Sequence, residues 1–125
     1  MQYLLLAKIV LEKGVDNITV PDHIRFDVFT MAGTLLFKEQ RYEEAGKAFA
    51  RAGNSNELLG AAEWLTKQCH HKEAAYLYVH TWEREKMEAC ALACIHQGAE
   101  KEARMLYQVL GNKEMLAFLQ NNFGI

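Results

Sequence analysis

The sequence is short of proline, cysteine and β-branched residues, and each shortage excludes a class of structure. Pro21 is the only proline, and most of the eight glycines stand where helices would end. A β-rich chain needs more turn chemistry and more Val, Ile and Thr than this. Three cysteines are odd in number and too few for a disulfide scaffold. They favour a reducing compartment, so we expect a cytoplasmic protein.

An excess of positive charge is also missing. The chain has 14 Lys and Arg residues against 16 Asp and Glu residues, which gives a formal net charge of −2. Nucleic acids and anionic membranes both attract concentrated positive charge. No segment approaches the roughly 18 uninterrupted apolar residues of a membrane span. We therefore expect no membrane partner and do not favour a nucleic-acid partner.

The chain does contain an internal repeat with a period of 29 residues. Three segments align without gaps, and several of the aligned positions keep one class of residue through the three copies. Repeats of this length are typical of solenoids built from stacked units. The matching positions are Gly33, Ala62 and Ala91; Leu36, Leu65 and Cys94; Glu44, Glu73 and Glu102; Ala45, Ala74 and Ala103; and Phe49, Tyr78 and Tyr107.

The pattern predicts that each unit is a helix hairpin. A small residue in the first helix, such as Gly33, lets the second helix approach closely. In the second helix Ala45 precedes Phe49 by four residues, so the two share one face as a hole and a knob. The aromatic side chain supplies much of the buried area between units. A single hairpin cannot bury its apolar face alone, which makes stacking necessary.

We therefore predict an all-α domain over residues 1–125, a solenoid of antiparallel helix hairpins. An N-terminal helix and loop (1–25) precede three hairpin repeats (26–111) and a C-terminal capping helix (112–125). We expect Thr19 to cap the second helix, and Gly53-Asn54 and Gly111-Asn112 each to end one helix and cap the next. The predicted helices span 2–13, 21–38, 41–52, 55–68, 71–81, 84–97, 99–110 and 112–122.

The repeat resembles that of the tetratricopeptide family. There the first helix carries large, small and large apolar residues, and the second carries aromatic, alanine, aromatic and alanine. The units here are shorter than the roughly 34 residues of that family and lack its boundary proline. In this they resemble the degenerate helical repeats of coat and intraflagellar-transport proteins. The first unit matches at Phe29, Gly33, Leu36, Tyr42, Ala45, Phe49 and Ala52; the second at Leu58, Ala62, Leu65, Ala74 and Tyr78; the third at Met87, Ala91, Cys94, Ala103 and Tyr107.

The resemblance implies that the first helices line a concave groove that binds a protein or peptide. The family's clamp for a terminal carboxylate is not expected, because its positions hold Thr34, Glu63 and Leu92. With an acidic middle and an apolar end, the groove suits a basic or amphipathic helical partner. The groove candidates are Thr30, Thr34, Phe37, Lys38, Leu59, Glu63, Thr66, Lys67, Glu88, Leu92, Ile95 and His96.

Two clusters contain residues of the metal-ligand type. Cys69 and His70 fall in a predicted turn, and Cys90 and Cys94 are one helical turn apart. The repeat already accounts for Cys94, which takes the place of Leu36 and Leu65, so we predict core and turn roles for the cysteines.

No catalytic motif stands out. We therefore expect a scaffold or adaptor that is not an enzyme and needs no cofactor. An RNA-binding repeat and a small zinc-binding or cysteine-dependent protein remain alternatives.

Several side chains could face either solvent or the core. We expect Trp64 to pack against a neighbouring hairpin, Trp82 to pack at a hairpin junction, and Glu102 to lie on a solvated face. The apolar helices at both ends suggest a lid over the stack, which we favour for the C-terminal helix, or a homo-oligomer interface.

Overall fold

Eight α-helices and one short 3-10 helix (Val15–Asn17) make up residues 3–125, the part of the chain that the computed structural model describes. This part contains no strand, so the prediction of an all-α fold is confirmed. Gln2, where the first helix was predicted to begin, lies outside it. The helices are α1 (Leu4–Lys13), α2 (Asp22–Lys38), α3 (Tyr42–Ala52), α4 (Ser55–Lys67), α5 (His71–Tyr78), α6 (Arg84–His96), α7 (Glu100–Leu110) and α8 (Lys113–Phe123).

The helices pair into three hairpins, α2 with α3, α4 with α5, and α6 with α7. The second helices of consecutive hairpins also pack together, α3 against α5 and α5 against α7, whereas the backbones of the first helices lie further apart. Helix α1 packs on α2, and α8 packs on α7. The stack is therefore closed along its second helices and more open along its first helices. None of the helices within residues 3–125 has both the length and the apolarity needed to cross a bilayer.

The backbone follows the same 29-residue period as the sequence. One left-handed residue ends the first helix of each hairpin: Gln40 (φ 62°), Cys69 (φ 60°) and Gly98 (φ 79°). In each turn the next N–H bonds to the carbonyl five residues before it, a pattern typical of helix C-termini. These bonds join Arg41 to Leu36 at 2.9 Å, His70 to Leu65 at 2.9 Å, and Ala99 to Cys94 at 2.7 Å.

The junctions between hairpins repeat as well, at Gly53 (φ 71°), Trp82 (φ 61°) and Gly111 (φ 69°). After the two glycines, the predicted asparagine caps are present. The Asn54 side chain accepts a hydrogen bond from the Glu57 N–H, and Asn112 accepts one from the Met115 N–H. The middle junction has lost this signature, because Trp82 and Glu83 replace the glycine and the asparagine.

The repeated apolar positions form the core. The small residues at the hairpin contacts are all buried, and so are the repeated aromatic residues Phe49, Tyr78 and Tyr107, which are no more than 4% exposed. Gly33 shows why its position stays small, since a Cβ there would lie 2.6 Å from the Phe49 ring. Gly46 plays the same part between hairpins, where a Cβ would collide with the Tyr76 carbonyl oxygen. Close approach of helices thus depends on missing side-chain atoms.

Two predicted helix ends were wrong. Thr19 does not cap α2, which begins at Asp22 behind Pro21, and the Pro21 carbonyl accepts a hydrogen bond from the Ile24 N–H. Helix α5 ends at Tyr78 instead of residue 81. There the Thr81 hydroxyl donates to the Tyr78 carbonyl at 2.7 Å, and this local bond competes with continuation of the helix.

Two side chains lie in environments opposite to those predicted. Trp82 is 81% exposed, because its left-handed backbone directs the ring out of the junction. Glu102 is only 6% exposed and accepts a hydrogen bond from the Tyr76 hydroxyl at 2.6 Å, which links α7 to α5. Burial and the Glu102 carboxylate raise the pKa of Tyr76, so the phenol remains the donor. Trp64 does contact the preceding hairpin, but it remains half exposed.

Alanine substitutions at three helical glycines test the close helix contacts. We expect Gly33→Ala to lower the free energy of unfolding by about 1–3 kcal/mol through overpacking against Phe49. Gly46→Ala should cost at least as much, because the obstacle is backbone and cannot rotate away. Gly60→Ala is the matched control: its Cβ would meet nothing within 4 Å, so it should stabilise by about 0.5–1 kcal/mol. Urea unfolding measures all three, and equal effects would contradict the packing described.

The junction at residue 82 gives a second prediction. A bulky side chain in a left-handed conformation costs about 1–2 kcal/mol, and glycine avoids this cost. Because the Trp82 ring is mostly exposed, removing it sacrifices little packing. Trp82→Gly should therefore raise the free energy of unfolding by about 1 kcal/mol, and Gly111→Trp at the equivalent position should lower it. A destabilised Trp82→Gly variant would show that the ring contributes to the fold.

Candidate functional site

An open cleft of about 410 Å³ lies between the first helices of the second and third hairpins. Helices α4 and α6 form its walls, and α5 forms its floor. We call it the α4–α6 cleft. Its lining mixes charged, hydroxyl, aromatic and small side chains: Glu63, Thr66, Lys67, His71, Tyr78, Lys86, Ala89 and Cys90.

The cleft exists because one pair of hairpins lacks an aromatic bridge that the other pair has. Between the first and second hairpins, the Phe37 ring packs edge-on against the rings of Tyr42 and Trp64. The distances between ring centroids are 5.2 Å and 5.9 Å. This cluster fills the space between α2 and α4. One repeat further on, the equivalent residues are Thr66, His71 and Ala93, which are too small to span the gap between α4 and α6.

An ion pair crosses the rim of the cleft. The Lys86 ammonium of α6 donates to the Glu63 carboxylate of α4 at 2.9 Å, and this hydrogen bond raises the pKa of Lys86. Both side chains are more than two-fifths exposed. Lys86 thereby neutralises the carboxylate that gave the predicted groove its acidic middle, and Lys67 adds a further positive charge to the lining.

The floor of the cleft is polar, and helix α5 contributes His71 and Tyr78 to it. The Tyr78 hydroxyl lies 3.2 Å from that of Thr66, and burial raises the pKa of Tyr78. His71 lines the cleft, while its Nδ1 is buried without a hydrogen-bond partner among residues 3–125. The floor can thus receive an apolar or hydrogen-bonding side chain.

The cysteines occupy core and turn positions. The Cys90 and Cys94 thiols are buried, and both donate to the His71 carbonyl oxygen, at 3.4 and 3.3 Å. The adjacent Cys94 thiol and burial raise the pKa of Cys90, so its reactive thiolate form is disfavoured. Cys69 is exposed in the turn before α5, beside His70. Within the described residues, no three His, Cys, Asp or Glu side chains are grouped so that they could hold a metal ion.

The structure places all twelve groove candidates outside the fully buried core, but it does not bring them into one groove. Glu63, Thr66 and Lys67 line the α4–α6 cleft. The candidates on α2 lie beyond the aromatic bridge, which includes Phe37, and the Thr30 hydroxyl there accepts a hydrogen bond from the Asn54 amide. The remaining candidates flank the cleft without lining it: Leu59 on α4, and Glu88, Leu92, Ile95 and His96 on α6.

Five of the eight lining residues were not among the groove candidates predicted from the sequence. Tyr78, His71, Lys86 and Ala89 were not among the groove candidates, and Cys90 was considered only as a metal ligand. Two of these residues belong to α5, a second helix, which the family resemblance places away from the groove. The signal that would have found the cleft is the change from Phe37, Tyr42 and Trp64 to smaller residues one repeat later.

Comparisons with known proteins assign no inherited role to this cleft. The chain matches no family model, no curated protein and no solved structure. Fold alone does not determine function, because one helical architecture supports many activities. A function for the cleft must therefore be derived from its own shape, charge and chemistry.

Proposed function

We propose that the chain is a protein-binding module whose α4–α6 cleft receives the apolar face of an amphipathic helix from a partner protein. The observation that carries this proposal is the missing aromatic bridge. A site that is filled by three aromatic rings between α2 and α4 is left open between α4 and α6. A partner's side chains would supply the volume that the chain itself does not.

The surroundings of the cleft suit a helix lying between two helices. Leu92 is 57% exposed on α6, one turn beyond Ala89. Amphipathic helices bind such grooves through apolar anchors spaced three or four residues apart. Ala89 leaves room for one such anchor inside the cleft, and Leu92 offers a contact for the next.

Charge at the rim changes the partner expected from the sequence. The sequence favours a basic or amphipathic helix because it places the Glu63 carboxylate in the middle of the groove. In the structure, Lys86 pairs with that carboxylate. We therefore propose a partner chosen by its apolar face, with no excess of positive charge. Catalysis is less well supported, since the Cys94 thiol and burial raise the pKa of Cys90 and disfavour its reactive thiolate form.

The proposal can be tested by rebuilding the aromatic bridge inside the cleft. The triple variant Thr66→Phe, His71→Tyr and Ala93→Trp copies the side chains of the preceding interface. Fluorescence anisotropy would measure binding of labelled amphipathic peptides of about 20 residues, long enough to form a helix. The peptides share one apolar face and carry basic, acidic or neutral polar faces. We expect the native chain to bind the neutral peptide and the triple variant to bind it at least about tenfold more weakly.

Two controls separate a blocked cleft from a damaged fold. Thr34→Trp places a large ring on α2, outside the cleft, and should leave the affinity unchanged. Thermal unfolding should show that the triple variant is at least as stable as the native chain. Peptide binding that survives the filled cleft would contradict the proposal, and so would a peptide affinity that depends only on basic charge.

A further inference from the structure

Helix α8 repeats the register of a first helix. Its cap, Asn112, corresponds to Asn54, the cap of α4, two repeat periods earlier, and both side chains accept a backbone N–H three residues ahead. By the same alignment Leu116 corresponds to Leu58, Gln120 to Ala62, and Phe123 to Leu65.

In each complete hairpin, a second helix covers these positions of the first helix. Within residues 3–125, no second helix follows α8. Leu58, Ala62 and Leu65 are at most 3% exposed beneath α5. By contrast, Phe123 is 43% exposed and stacks edge-on with the similarly exposed Phe118 at 6.1 Å. No helix within residues 3–125 covers this face of α8.

A cleft of about 380 Å³ lies beside this face, between α7 and α8. We call it the α7–α8 cleft. In the complete hairpins a second helix packs against both its own first helix and the preceding second helix. The cleft is bordered by Arg104 and Gln108 of α7, by Leu116 and Gln120 of α8, and by Ile125 after α8, and thus lies where such a helix would pack.

The charges of the cleft restrict what could fill it. Arg104 and Lys113 line the cleft, and its lining contains no acidic residue. Neither cation forms an ion pair with an acidic side chain in the described part of the chain. Complementary charge on a partner would therefore be acidic.

Side-chain size restricts the occupant further. Arg104 stands where the earlier second helices have Gly46 and Ala75, and Gln120 stands where the first helices have small residues. These longer side chains prevent an incoming helix from packing as closely as α5 packs on α3. A docked helix must therefore have small residues opposite them and gain its apolar contacts at Leu116 and Phe123.

We propose that the α7–α8 cleft, together with the exposed face of α8, is a second protein-binding surface, and that its partner is an acidic amphipathic helix. The partner's apolar side chains cover Leu116 and Phe123, its small residues face Gln120, and its carboxylates pair with Arg104 and Lys113. This surface is separate from the α4–α6 cleft and does not depend on the function proposed for it.

Charge reversal tests the surface with defined probes. Two labelled helical peptides share an apolar face with alanines beside it, and one has an acidic and the other a basic polar edge. In low salt the native chain should prefer the acidic peptide, and added salt should weaken this binding. The double variant Arg104→Glu with Lys113→Glu should lose at least tenfold in affinity for the acidic peptide and gain affinity for the basic one.

Matched variants make the result decisive. Lys101→Glu reverses one charge on α7 outside the cleft, as each of the two substitutions does inside it, and should alter the affinity less than about twofold. Filling the α4–α6 cleft with the aromatic triple variant should leave acidic-peptide binding intact, which separates the two proposals. If charge reversal proves destabilising, Arg104→Gln with Lys113→Gln is the milder test and should reduce the affinity in the same direction. Equal affinity for both peptides, or self-association of the native chain through Phe123, would overturn the proposal.

Discussion

The whole stack depends on one kind of contact, in which a missing side chain on one helix makes room for the next helix. Gly33 accepts the Phe49 ring, and Gly46 accepts the backbone of α5. These contacts fix the distance between helices, and the turns at the same repeat positions fix the direction of the chain. Because every unit keeps a small residue at the position of Gly33, the surface residues can vary without changing the architecture.

Much of this architecture could be predicted from the sequence, because the core positions and turn residues recur together. Gly53-Asn54 and Gly111-Asn112 are residue pairs typical of a helix end followed by a helix cap. The structure shows the expected left-handed glycines and asparagine caps. Trp82 was placed wrongly because a tryptophan is rarely found in a left-handed conformation. Only its alignment with the two glycines shows that the backbone requires that conformation there.

The candidate sites were harder to predict, because each arises from a departure from the repeat. The α4–α6 cleft is lined by Thr66 and His71, which together with Ala93 replace the aromatic cluster of the preceding repeat, and no single residue among them signals a site. Helix propensity and the hydrophobic pattern describe what the repeat units share. A cleft depends instead on differences in side-chain volume between facing helices. The Glu63–Lys86 ion pair likewise joins residues far apart in sequence. In this chain, binding surfaces are proposed where the repeat fails to fill its own space.

A double-mutant cycle between Gly33 and Phe49 tests the central contact most directly. Phe49→Leu removes Cε1 and Cζ, two of the three ring atoms that a Cβ at position 33 would meet. The free energy of unfolding would be measured for Gly33→Ala, Phe49→Leu and the double variant. If the contact sets the helix spacing, the double variant should lose less stability than the sum of the single losses, with a coupling of more than about 1 kcal/mol. Losses that add to within about 0.5 kcal/mol would show that the two positions do not constrain each other, and would contradict this account of the fold.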